Sequence, residues 1–194
     1  MSKREITRAD ILPLAEYAKK RVDLRREIVA KKKRRRMEVG PAATFYFECY
    51  ETMLQQVQEM LYIEKGGEAQ IADELDAYNP LIPDGTELIA TVMFEIDDPV
   101  RRARFLARLG DVEHHAFIRL GADIVRGKPE QDQERTNEAG KASSVHFIHF
   151  AFDAAQIRAF RSETQIIVGF DHPEYSHMAV MSEAVRQELA GDFA

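Results

Sequence analysis

The sequence predicts an α+β fold in which N-terminal helices, including a long basic one, precede a mostly antiparallel sheet with short helices. Three observations predict it. Up to about residue 78 apolar residues recur mainly at three- and four-residue steps, the period of a helix face. From Glu87 onward, short runs rich in Val, Ile and Phe alternate with Gly, Pro and Asp turns, which is strand punctuation. Helices and strands segregated along a chain build α+β domains rather than alternating parallel units. With 194 residues, 45% of them hydrophobic, the chain can bury a substantial core. Its composition divides it into a basic helical arm, 1–40, and a single α+β domain, 41–194.

Thr7 with Asp10 resembles a capping box, and Pro13 suits the first turn of a helix. Leu14, Ala18, Val22 and Val29 then mark a narrow apolar stripe, and Glu27 with Lys31 adds an opposite-charge pair one turn apart. A helix over residues 14–36 would be ~35 Å long. After Gly40-Pro41, Thr44 to Tyr50 alternates Phe45, Phe47 and Cys49 against Thr44, Tyr46, Glu48 and Tyr50, a strand leading into a helix. Met53, Leu54, Val57, Met60 and Leu61 define that helix, which ends near Gly66-Gly67. A second helix, 68–78, stops before the Asn79-Pro80 and Pro83-Asp84-Gly85 turns.

The later part reads as a strand over 87–96, a short helix over 99–109 and a hairpin over 111–126 turning near Gly121. The stretch 127–144 has alanine as its only hydrophobic residue, so it reads as a surface loop, and its place before the next strand suits a lid. Strands over 145–152, 165–171 and 177–181 follow, with short helices over 154–161 and 183–189.

Charge is unevenly spread. Lys19 to Arg36 holds eleven Lys or Arg against Asp23 and Glu27, a local +9 that leaves −15 for the rest of a chain whose net charge is −6. A positive arm on a negative body favours oriented docking onto an acidic partner or onto another copy. Lys31, Lys32, Lys33, Arg34, Arg35 and Arg36 are its densest part. The acidic body argues against general nucleic-acid binding. No stretch approaches a membrane span, and the first residues lack the apolar core of a secretory signal, so a cytoplasmic protein is expected. A single cysteine, Cys49, excludes an intrachain disulfide and an iron–sulfur cluster held by this chain's thiolates alone. With Glu48 and Glu51 as neighbours it is a poor nucleophile.

All six histidines lie beyond residue 113. In Val145-His146-Phe147-Ile148-His149-Phe150 the two histidines point to opposite faces. His146 shares parity with Ile148 and Phe150, and His172 with Val168 and Phe170. If strands 145–152 and 165–171 pair antiparallel, His146 and His172 converge; if a crossover makes them parallel, they separate. With Glu113 and His115, which share one strand face, they form a candidate site for iron or zinc or for acid–base chemistry. The alternative makes His146 a hydrogen-bonded core histidine and gives His172 and Tyr175 the task of fixing the turn at 171–175. Glu95, on an otherwise apolar strand, needs a partner if buried. Glu48, Glu51 and Glu59 are further carboxylates, but no ExxH pair on a helix supports a di-iron bundle. No phosphate loop, dinucleotide fingerprint, HExxH, CxxC or GxSxG is present.

Several stretches, SKREITRADILPL from Ser2, TMLQQVQEMLYIEKGG from Thr52, AYNPLIP from Ala77, FDHPEYSHM from Phe170 and the closing ELAGDF, resemble an uncharacterised bacterial family, domain of unknown function 3501. The resemblance implies an association with rubrerythrin-like di-iron proteins and with iron–sulfur proteins similar to heterodisulfide reductase subunits, hence a redox or peroxide-defence setting. It assigns no catalytic residue. The leading expectation is an accessory protein that docks an acidic redox partner, or its own copies, through the basic helix and holds at most one metal ion. The alternative is a His/carboxylate metal-dependent oxidoreductase or hydrolase.

Overall fold

Strand alternation decides the architecture. The structure, a computed structural model, describes residues 3–130, 142–162 and 165–194. The first sheet contains β1 (Arg36–Val39), β2 (Ala43–Phe47), β3 (Glu87–Phe94), β6 (Lys128–Pro129) and β7 (Val145–Ala151), in the order β1-β2-β3-β7-β6. The second contains β4 (Ala116–Leu120), β5 (Asp123–Arg126), β8 (Ile166–His172) and β9 (Tyr175–Val180), in the order β5-β4-β8-β9. Every pairing is antiparallel. Because side chains alternate, each sheet turns one apolar row inward. Phe45, Leu88, Val92, Ile148 and Phe150 meet Ile118, Val168 and Phe170 in one buried cluster.

Tyr175 ties the two sheets together. Its hydroxyl donates to the Val39 carbonyl at 2.6 Å and accepts the amides of Ala42 and Ala43 at 3.1 and 2.9 Å. The β1–β2 turn it grips needs glycine. Gly40 has φ +70°, and a Cβ there would lie 2.5 Å from the His177 ring.

Helices α2 (Tyr50–Glu64) and α3 (Gly67–Tyr78) lie against the outer face of the first sheet, and α1 (Leu14–Lys33) packs on α2. Met53, Val57 and Leu61 from α2 bury against Ile89, joined by Ile6, Ile11, Ile71, Leu81 and Ile82. The chain leaves α2 through Lys65, whose φ of 55° is left-handed. Three shorter helices, α4 (Pro99–Leu106), α5 (Ala154–Ser162) and α6 (Glu183–Ala190), complete the α+β fold. The Asp98 side chain caps α4 by accepting the Arg101 amide at 2.6 Å, while Phe160, Val185 and Leu189 carry α5 and α6 into the sandwich core. The Thr7–Asp10 box forms as expected and caps a short 3-10 turn, with Thr7 N donating to Asp10 Oδ2 at 2.9 Å.

Three expectations are corrected. The basic helix stops at Lys33, and Arg36 already begins β1, because the alternation of Met37 and Val39 toward the core outweighs helical charge patterning. The segment 1–40 is therefore no separate arm: α1 packs on α2 and β1 belongs to the first sheet. Strands β7 and β8 do not pair in either sense, since they lie in different sheets. Of the expected loop over 127–144, residues 131–141 lie outside the described residues, and Ala142 beyond them is buried, its amide donating to the Leu106 carbonyl at 3.1 Å. Among the described residues no helix is long and apolar enough to cross a membrane.

Candidate functional site

The six-residue basic run does not form one exposed patch. Lys31 meets Glu51 at 2.9 Å and Glu188 at 3.9 Å, Arg34 meets Glu188 at 3.1 Å, and Arg36 meets Glu38 at 2.6 Å. Arg35 is 2% exposed; it pairs with Asp192 and donates to the carbonyls of Phe47 and Glu48, each at 3.0 Å. It anchors the C-terminal end of the chain to β2 and cannot meet a partner. Among the described residues only Lys32 and Lys33 of the six make no ion pair.

What α1 does expose is its outward face. Of its twenty residues only Tyr17 is buried. Tyr17 donates to Glu59 at 2.6 Å, and Arg21 grips the same carboxylate at 2.8 and 3.0 Å, so Tyr17, Arg21, Leu24, Ile28 and Lys31 mark the side toward α2. The arginine holds the Glu59 carboxyl below the usual range. The narrow apolar stripe of Leu14, Ala18, Val22 and Val29 lies on the other side, with Val22 70% and Val29 53% exposed. Lys19, Arg26 and Lys33 follow beside it at seven-residue steps. The helix thus offers an apolar stripe edged by cations.

The four candidate metal ligands form two pairs beside the 3-10 turn Val112–His115 rather than one cluster. His146, 1% exposed, places Nδ1 3.7 Å from Glu113 Oε2, donates Nε2–H to the Ser143 carbonyl at 2.8 Å and meets the Phe94 ring edge-on. His172 donates from Nε2 to the Gly110 carbonyl at 3.0 Å and accepts the Glu174 amide on Nδ1 at 3.1 Å. Nδ1 thus serves the β8–β9 turn while Nε2 ties that turn to the segment before the 3-10 turn, and the ring packs edge-on to His115. His115 pairs with Asp171 at 3.0 Å. Asp171, though burial pushes its carboxyl up, is held below its ordinary value by Arg126 and His115. Among the described residues no group of three or more His, Cys, Asp or Glu could hold a metal ion. The other carboxylates do not converge either: Glu51 and Glu59 serve Lys31 and Arg21, and Glu95 accepts from Thr44 and Tyr46 rather than from an arginine. Cys49 is buried, which pushes its thiol up.

The outer face of the first sheet holds two features that motif reading missed. His149 sits between Glu87, 3.0 Å from Nδ1, and Glu130, 2.9 Å from Nε2. The Glu87 bond raises its pKa above the ordinary value against the opposing effect of burial. A ring nitrogen toward each carboxylate makes a proton-mediated clamp rather than a chelate. Further along the same face, the rows Tyr46–Thr91–Phe147 and Met93–Val145 floor a cavity of about 300 Å3, walled by Met53, Gln56, Tyr78, Lys32 and Glu48. Glu48 is 4% exposed, and its Oε1 accepts from Thr91 at 2.7 Å. The alternation of Thr44, Tyr46 and Glu48 had placed it on this face; its partner came only with the register.

No curated protein matches this chain. A crystal structure of a protein of unknown function from Burkholderia pseudomallei K96243 is similar to it, with a TM-score of 0.90 and 37% identity over 97% of this chain and 99% of the other. The sequence match extends over residues 5–193, taking in helical layer, both sheets and the C-terminal residues that receive Arg35. The chain therefore belongs to the family of proteins of unknown function designated DUF3501.

Proposed function

We propose that this protein is a docking accessory of a cytoplasmic redox or peroxide-defence system, and that the outward face of α1 seats an acidic redox partner. The observation that carries the reading is the exposed face itself: Val22 and Val29 lie open beside Lys19, Arg26, which pairs with Asp23 at 3.1 Å, and Lys33, on a helix that buries only Tyr17. Large exposed apolar groups edged by charge are a common form of protein interface, and cations on a body of opposite net charge orient an acidic partner during encounter. The redox setting rests on the likeness of the quoted stretches to proteins associated with rubrerythrin-like and heterodisulfide-reductase-like partners. A His/carboxylate oxidoreductase or hydrolase has less support, because the Glu113–His146 pair is closed off beneath Phe94. A metal ion held by His146, His172, Glu113 and His115 would require His172 to give up a backbone bond, and metal analysis of untagged protein tests it.

Capture from extracts of the native host tests docking, with captured proteins identified by mass spectrometry and by the absorbance of their redox centre. Wild type should retain an acidic metalloprotein at low salt and release it as ionic strength rises, since exposed charges are screened within ~10 Å at 0.1 M salt. The Val22→Ser, Val29→Ser, Lys33→Gln triple variant should not retain it. Capture of nucleic acid, of another copy alone, or of the same partner by the triple variant overturns the reading.

A further inference from the structure

Glu48, on the wall of the cavity over the outer face of the first sheet, carries an unanswered carboxylate oxygen. Glu48 is 4% exposed; Thr91 satisfies its Oε1, while Oε2 has no hydrogen-bond partner among the described residues. Burying a carboxylate without filling its acceptor positions is unfavourable, and such groups in native proteins call for an explanation. The lining supplies the explanation. Tyr46, Tyr78 and Phe147 present aromatic surface, Met53 and Met93 present adaptable thioethers, and Gln56 and Thr91 are the neutral polar groups. Aromatic faces attract cations, and a carboxylate answers an ammonium with a short charge-assisted bond. A hard metal ion would want several oxygen ligands, where this wall offers rings and sulfur.

We propose that this cavity binds a small organic ammonium ion, its protonated amine donating to the Glu48 carboxylate, which turns its free oxygen toward the ligand, and its apolar body lying against Tyr46, Tyr78, Phe147 and the two methionines. A volume of about 300 Å3 stands at the small end of ligand pockets, enough for one aromatic or branched amine. Lys32, on the wall of the same cavity and without an ion pair among the described residues, adds a second recognition element. It would meet a carboxylate on the ligand, as in an apolar amino acid, and gains nothing from a simple amine. This site is separate from the outward face of α1, so its test and the docking test fail independently.

Calorimetric titration and thermal shift decide it, with phenethylamine, L-phenylalanine and 2-phenylethanol as probes of the amine, the amino acid and the uncharged isostere. Wild type should bind an amine at one site and raise its Tm, with the alcohol at least about tenfold weaker. Glu48→Gln, which keeps side-chain length and an acceptor for Thr91, should erase the preference for the amine. Met93→Trp fills the space without touching the carboxylate and should abolish binding, which keeps the proposal testable if Glu48→Gln fails to fold. Tighter binding of L-phenylalanine that is lost in Lys32→Met identifies an amino acid; tighter binding of phenethylamine identifies a simple amine. Absence of saturable binding by either amine, equal binding of the alcohol, or unchanged binding in folded Glu48→Gln overturns the proposal.

Discussion

The two faces of the first sheet are made by the same strands and have opposite fates. The inward face is closed: Phe45 is fully buried and in ring contact with Phe150 and Phe170, and even its histidine, His146, bonds to a backbone carbonyl. On the outward face α2 and α3 cover Ile89 and leave a cavity over Thr91 and Met93. The difference teaches where to look for chemistry in this chain. Histidines attracted attention by residue type, yet the inward ones serve the architecture. The outward face has the incomplete cover and the acceptor still to be filled.

The largest expected effect sharpens this contrast. Phe45→Ala should destabilise by about 3–5 kcal/mol, because a close-packed core cannot collapse around the missing ring. Met93→Ala, facing the cavity, should change stability by about 1 kcal/mol or less. Urea denaturation compares them, and a similar loss in both would mean that the outer face is packed as tightly as the inner. Next in size is the bond joining the sheets. Tyr175→Phe leaves the Ala42 and Ala43 amides buried without their acceptor, an expected loss of about 1–3 kcal/mol by the same measurement.

The His149 clamp predicts a pH dependence. Its folded-state pKa is raised, chiefly by Glu87, above the ordinary value of about 6.5. The stabilisation it gives is therefore fully present below that value and is lost as pH rises through the folded one. The Tm advantage of wild type over His149→Gln should shrink as pH rises above about 6.5. An advantage that stays constant or grows with pH would break the clamp. Smallest is the effect of Val22→Ser with Val29→Ser, both on the exposed face of α1, at within about 0.5 kcal/mol each. A larger loss of stability would show that this face is covered within the molecule and not reserved for a partner.

Local periodicity was readable because it depends on neighbours in sequence. The sequence by itself determined the α+β class, the Thr7–Asp10 box, a strand beginning at Val145 and the opposite facing of His146 and His149, since each follows from steps of two to four residues along one backbone. It also placed Glu48 on the face of Tyr46. Only the tertiary structure decided which side of α1 faces α2, that β7 and β8 lie in different sheets, that Arg35 turns inward to Asp192, and that Thr91 answers one oxygen of Glu48 and leaves the other. Those outcomes depend on what stands opposite a residue across a sheet or a helix interface, often more than a hundred residues away. Periodicity tells that a face exists, and the partner that covers it is set by competition among all faces for the same core.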